Sequence, residues 1–123
     1  MTSPATPAEV LRHYFQVEMT RDVEAIVALY APMATFETPD QLRRGHPEIR
    51  PFYIDAAARF PVLRVEVTHA FDHGEWGLAE WSAVMVSPAG EQLSLRGANV
   101  AKVENGLLVE IRSYYDSGSY LPS

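Results

Sequence analysis

A chain of 123 residues, 47% of them hydrophobic, has the length and apolar content for one domain around its own core. Sixteen acids against ten bases give a formal net charge of −6, which argues against a nucleic-acid surface, since phosphate neutralisation needs clustered Lys and Arg. The absence of cysteine excludes disulfides, thiolate metal ligands and a thiol nucleophile.

The first segment, Met1 to Thr6, is small, polar and proline-bearing, and reads as a frayed leader. It lacks the basic-then-apolar order of a secretory signal, and no window approaches the roughly 18 apolar residues of a membrane span, so the expectation is a cytoplasmic protein without a membrane partner. Pro7 opens a helix that Thr6 caps with Glu9 three residues on, and Val10, Leu11, Tyr14, Phe15 and Val17 form its apolar stripe. Tyr14 carries a phenol into that stripe, where it must find a partner or a cavity. Val23, Ile26, Val27 and Tyr30 recur at helical steps, and Pro32 bars the helix from continuing, which predicts an end near Tyr30.

Ala34 to Thr38 alternates as a strand through Phe36, and Pro39-Asp40 and Arg44-Gly45-His46-Pro47 supply turns. Pro47 suits the first turn of a third helix, whose apolar positions include Ile49, Phe52, Tyr53 and Phe60 before Pro61 closes it. Three long alternating runs follow, Val62 to Phe71, Trp76 to Val86 and Gln92 to Val103, and Asn105-Gly106 is a hairpin signal into a last strand, Leu107 to Tyr115. Helices first and a meandering sheet second predict an α+β architecture with the sheet curling around the helices.

The run Asp22-Val23-Glu24-Ala25-Ile26 to Leu29-Tyr30, then Ala34-Thr35-Phe36-Glu37, then Arg44-Gly45 before Phe52-Tyr53, resembles the cone-shaped nuclear-transport-factor-2-like fold over nearly the whole chain. Within it the sequence is similar to the ketosteroid isomerase and SnoaL-like polyketide cyclase group. That resemblance implies one domain over 1–123, a pocket at the open end of the cone, no cofactor, and a homodimer through the outer sheet face, for which Val65, Val84 and Val86 are the expected apolar cover. It also implies the chemistry. In the ketosteroid isomerase pattern a helix-one tyrosine and a late-strand acid donate hydrogen bonds to an enolate, and these positions fall on Tyr14 and Asn99. An amide also donates, and needs no pKa shift to stay neutral. The pattern's aspartate base falls on Thr38, which cannot shuttle a proton near neutral pH. Glu37 and Asp40 flank that position, although alternation turns Glu37 to the opposite face.

SnoaL-like cyclases carry a pocket aspartate after an aromatic pair near the chain end, which here is Tyr114-Tyr115-Asp116, so Asp116 is the leading proton shuttle by resemblance. Tyr115 and Asp116 point to opposite faces of an ideal strand, so both enter the pocket only if the strand ends or bulges there. Limonene epoxide hydrolase shares the fold but needs an arginine where Gly97 stands, and Arg96 falls on the other face. Phe36, Thr38, Phe52, Tyr53, Trp81, Met85, Tyr115 and Trp76 supply pocket walls suited to a small, mostly apolar molecule. Gly97 and Ala98 leave space beside Asn99 for a ligand or for close strand packing. His13, His46, His69 and His73 show no metal-ligand spacing. The two function classes are thus an enzyme that moves a proton on a small carbonyl compound, by isomerisation or aldol cyclisation, and a non-catalytic binding module that has lost its base at Thr38.

Overall fold

The computed structural model describes residues 5–115. Helix α1 (Pro7–Met19) starts with the capping box its sequence encodes, the Glu9 N–H donating to the Thr6 hydroxyl at 3.2 Å and the Thr6 N–H donating to the Glu9 carboxylate at 3.1 Å. Val10, Leu11, Tyr14 and Phe15 are buried, so the apolar stripe faces the core. Asp22 caps the five-residue helix α2 (Val23–Val27). This helix stops short of Tyr30, because Tyr30 already opens β1 (Tyr30–Thr38) beside Leu108 of the last strand.

After Pro39-Asp40 comes β2 (Gln41–Arg44), a short strand that the sequence does not announce, paired antiparallel with β1. Helix α3 (Gly45–Arg59) begins two residues before Pro47, and the His46 Nε2–H donates to the Tyr30 carbonyl at 2.9 Å, tying the start of α3 to the start of β1. The strands β3 (Val62–His73), β4 (Trp76–Val86), β5 (Gln92–Glu104) and β6 (Leu107–Tyr115) complete one sheet in the order β2-β1-β6-β5-β4-β3. Asn105 and Gly106 take φ of 53° and 78°, the left-handed pair that a two-residue hairpin turn requires. All pairings are antiparallel except that of β1 with β6. The α+β expectation therefore holds: α1 and α3 pack on the concave face of a curved, open sheet. No helix among the described residues is long and apolar enough to cross a membrane.

The alternation of β4 decides which side chains reach the interior. Ala79, Trp81, Ala83 and Met85 are buried, while Leu78, Glu80, Ser82 and Val84 lie on the opposite face. Val65, expected on the outer face, pairs with Ala83 and packs against the core, so only Val84 and Val86 remain of that apolar cover. Trp76 falls on the outer face with Leu78, its ring 5.8 Å from the Arg112 guanidinium, and does not contribute to the interior wall.

Gly97 fixes the local geometry of the site. It sits directly opposite Trp81 across the β4–β5 pair, and a Cβ there would fall 2.7 Å from the indole and 2.4 Å from the Tyr114 carbonyl oxygen. The space over Gly97 is therefore taken by the Trp81 ring rather than left for a ligand. Gly97→Ala is expected to cost about 1–3 kcal/mol and to displace the indole, read by urea denaturation and by a shifted tryptophan emission.

Candidate functional site

The helices and the concave sheet enclose a cavity of about 70 Å³. Of the residues singled out by the sequence, Tyr14, Thr38 and Asn99 line it as polar members. Phe36, Phe52, Trp81, Met85 and Tyr115 form aromatic and apolar wall. Asp116 lies outside the described residues. The volume is well below the ~300–1,000 Å³ of pockets that enclose drug-sized ligands, so what enters is a compact molecule or the reacting end of a larger one.

Tyr53 does not line the cavity. Its ring is fully buried and stacked on Phe36, with centroids 5.7 Å apart and planes 9° apart. Its hydroxyl bridges two other phenols, 2.5 Å from Tyr14 Oη and 2.5 Å from Tyr30 Oη. Each hydroxyl brings one proton, so the chain can run as donors from Tyr30 to Tyr53 to Tyr14, leaving the Tyr14 proton for an acceptor in the cavity. Burial raises the pKa of all three phenols, with the Glu18 charge adding to the effect, so they remain protonated donors across the neutral range. Sequence reasoning missed this relay because Tyr30 and Tyr53 each sit in an ordinary apolar stripe.

Asn99 is oriented by two donors. The Trp81 indole N–H donates to Asn99 Oδ1 at 3.0 Å and the Ser113 hydroxyl at 2.7 Å. An indole nitrogen only donates, so the atom it meets is the amide oxygen, and the amide NH₂ is left to face the cavity that Asn99 lines. Asn99 itself is 3% exposed.

At the position of the absent base, the Thr38 hydroxyl donates to Asp40 Oδ1 at 2.7 Å and accepts from Arg43 Nη1 at 3.1 Å. Arg43 is buried, with its guanidinium 4.6 Å from the centre of the Phe52 ring. Asp40 is exposed, and the Thr38 hydrogen bond lowers its pKa, which keeps it ionised and makes it a poor proton acceptor. Glu37 is exposed on the opposite face, 4.0 Å from Arg112. Neither flanking carboxylate reaches the cavity.

One carboxylate among the described residues does line it, and the sequence reading passed over it. Glu18 follows Tyr14 by one helical turn, on the same stripe of α1. Desolvation raises its pKa to about 7, with the Arg21 charge and the Tyr14 hydroxyl pulling the other way. An acid at a core position of an apolar stripe was the signal that could have found it.

The SnoaL-like domain family matches the chain over residues 11–111. No curated protein matches it at a significant level. Among solved structures, it is similar to an NTF2-like protein of unknown function from Burkholderia pseudomallei, with 19% identity, a TM-score of 0.81 and 93% of each chain covered. It is similar also to a Catenulispora acidiphila protein with a ketosteroid isomerase-like fold in complex with trimethylamine, at 16% identity, a TM-score of 0.82, and 94% of this chain and 90% of that one covered. A third is TerC co-crystallized with polyporic acid, at 15% identity, a TM-score of 0.79 and coverage of 91% and 92%.

Proposed function

The chain belongs to the SnoaL-like domain family, and from that premise we propose that it catalyses enolate-type proton transfer on a compact, mostly apolar carbonyl compound, in isomerisation or aldol cyclisation. The family's fold hosts many chemistries, so the reading rests on the site. The observation that carries it is the pairing of two neutral donors in one apolar cavity, the Tyr14 phenol at the end of its relay and the Asn99 amide held by Trp81 and Ser113. A carbonyl oxygen becomes an oxyanion as the adjacent C–H bond breaks. Donors fixed in advance and shielded from water stabilise that charge far more than water does, each by about 10²–10³ in rate.

The test is deuterium incorporation next to the carbonyl, followed by proton NMR, for acetone, cyclopentanone and cyclopent-2-enone in deuterated buffer. Exchange above the buffer rate is the expected result, and saturable binding without exchange would overturn the reading for these ligands. Asn99→Ala removes the donating NH₂ together with the amide oxygen that Trp81 and Ser113 address. It is expected to lower exchange by ~10–10² at neutral pH, measured in the same assay.

A second reading is favoured by the combination of Phe15, Phe36, Phe52, Trp81 and Tyr115 with the Glu18 carboxylate around a small volume. Aromatic faces and one negative charge suit a small ammonium ion, and the Catenulispora acidiphila neighbour was solved with trimethylamine. Quenching of tryptophan emission by trimethylamine, with no ketone exchange, would put this binding role first.

A further inference from the structure

We infer that Glu18 is the catalytic residue that takes up and returns the proton in this pocket, replacing the carboxylate that the chain lacks at Thr38. The inference rests on the proton-transfer reading above. Three features of the structure support it. Glu18 is the one carboxylate among the described residues that lines the cavity, whereas Glu37 and Asp40 are exposed and do not line it. Its place one turn beyond Tyr14 on α1 puts a proton acceptor on the same helix face, and at the same cavity, as the donor for an oxyanion. Phe15, Leu63, Trp81 and Met85 line the same cavity, and desolvation makes the Glu18 carboxylate more basic than a free one.

The step balances within the protein. The C–H bond next to the carbonyl breaks and its proton forms an O–H bond on Glu18. The C–H electron pair becomes the C=C of the enolate, and the carbonyl π pair moves to the oxygen that Tyr14 and Asn99 hold. Return of the proton to the same or another carbon restores the carboxylate, or the enolate carbon first forms a C–C bond to a second carbonyl, whose π pair moves to its oxygen, and that alkoxide takes the proton back from Glu18. The groups whose charge or protonation acts on Glu18 are Arg21, which favours its ionised form, and the phenols of Tyr14, Tyr30 and Tyr53. The phenols stay neutral, so Glu18 alone titrates in the neutral range within this cluster.

Cyclopentanone exchange in deuterated buffer, measured from pH 5 to 9, tests the assignment in the wild type and in Glu18→Gln, Glu18→Asp and Asp116→Asn. The expected profile in the wild type rises through about pH 7 to a plateau, as the carboxylate ionises. Glu18→Gln is expected to lose ~10²-fold or more, a larger loss than in Asp116→Asn, and to flatten the profile, and Glu18→Asp to restore part of the rate with its rising limb. Exchange that survives in Glu18→Gln, or that disappears in Asp116→Asn, overturns the assignment while leaving the enolate chemistry intact. No exchange in the wild type overturns the function itself, and this inference with it. A Glu18→Gln protein with lost exchange but a native near-ultraviolet spectrum separates lost chemistry from lost folding.

Discussion

Tyr14→Phe is expected to lower carbonyl-adjacent exchange by about 10²–10³ while the protein stays folded. Only the hydroxyl is removed, and the ring keeps its edge contacts with Phe15 and Tyr30. The Tyr53 hydroxyl retains Tyr30 as a partner, so the loss of one hydrogen bond costs stability only about 1 kcal/mol. What disappears is the donor that the proposed reaction sets against its developing oxyanion. Tyr53→Phe supplies the control: it leaves Tyr14 in the cavity but cuts the chain behind it, so Tyr53 acts as a positioning residue. Its effect on exchange is expected to be much smaller than that of Tyr14→Phe. Equal losses in the two variants would show that the relay, rather than the Tyr14 donor, dominates.

Glu18→Gln is expected to stabilise the folded protein above pH 7. In the unfolded chain this carboxyl ionises near its ordinary value of 4.5, while in the fold desolvation holds its pKa at about 7. A raised folded-state value means that the native protein binds the proton more tightly than the unfolded chain does. The contribution to stability is thus fully present below about pH 4.5, is lost as pH rises towards 7, and stays lost above it. Because the side chain is partly exposed, the loss is about 1–3 kcal/mol rather than the full equivalent of the shift. Glutamine resembles the protonated acid in shape and charge and has no such dependence. The difference between the two proteins in urea melts should therefore be small at pH 4.5 and should open to ~1–3 kcal/mol by pH 8. A gap independent of pH would mean that Glu18 does not titrate inside the fold.

The elements with strong punctuation were legible in the sequence. Thr6, Pro7 and Glu9 marked the first helix, and Asn105-Gly106 marked the last hairpin, because both rest on local chemistry. The alternation of β4 likewise gave the buried face of Trp81 and Met85. The misses have tertiary causes. β2 is four residues long and buries a single side chain, an arginine, which reads as a polar turn until Phe52 and Thr38 are there to receive it. Tyr30 fits a helical stripe, and it is pairing with Leu108, seventy-eight residues on, that puts it in a strand. Tyr53 looked like pocket wall because periodicity gives a face but not a depth. The positions of Tyr14 and Asn99 at the cavity were legible, whereas the orientation of the Asn99 amide depends on Trp81 and Ser113, which come together only across three strands.

The claim that two neutral donors hold an enolate is tested most directly by measuring cyclopentanone exchange side by side in the wild type, Tyr14→Phe, Asn99→Ala and the double variant at pH 8. Catalysed exchange in the wild type, a loss of at least about tenfold in each single variant, and a double-variant loss smaller than the product of the two would place both groups on one oxygen. Wild-type exchange that neither substitution slows would contradict it.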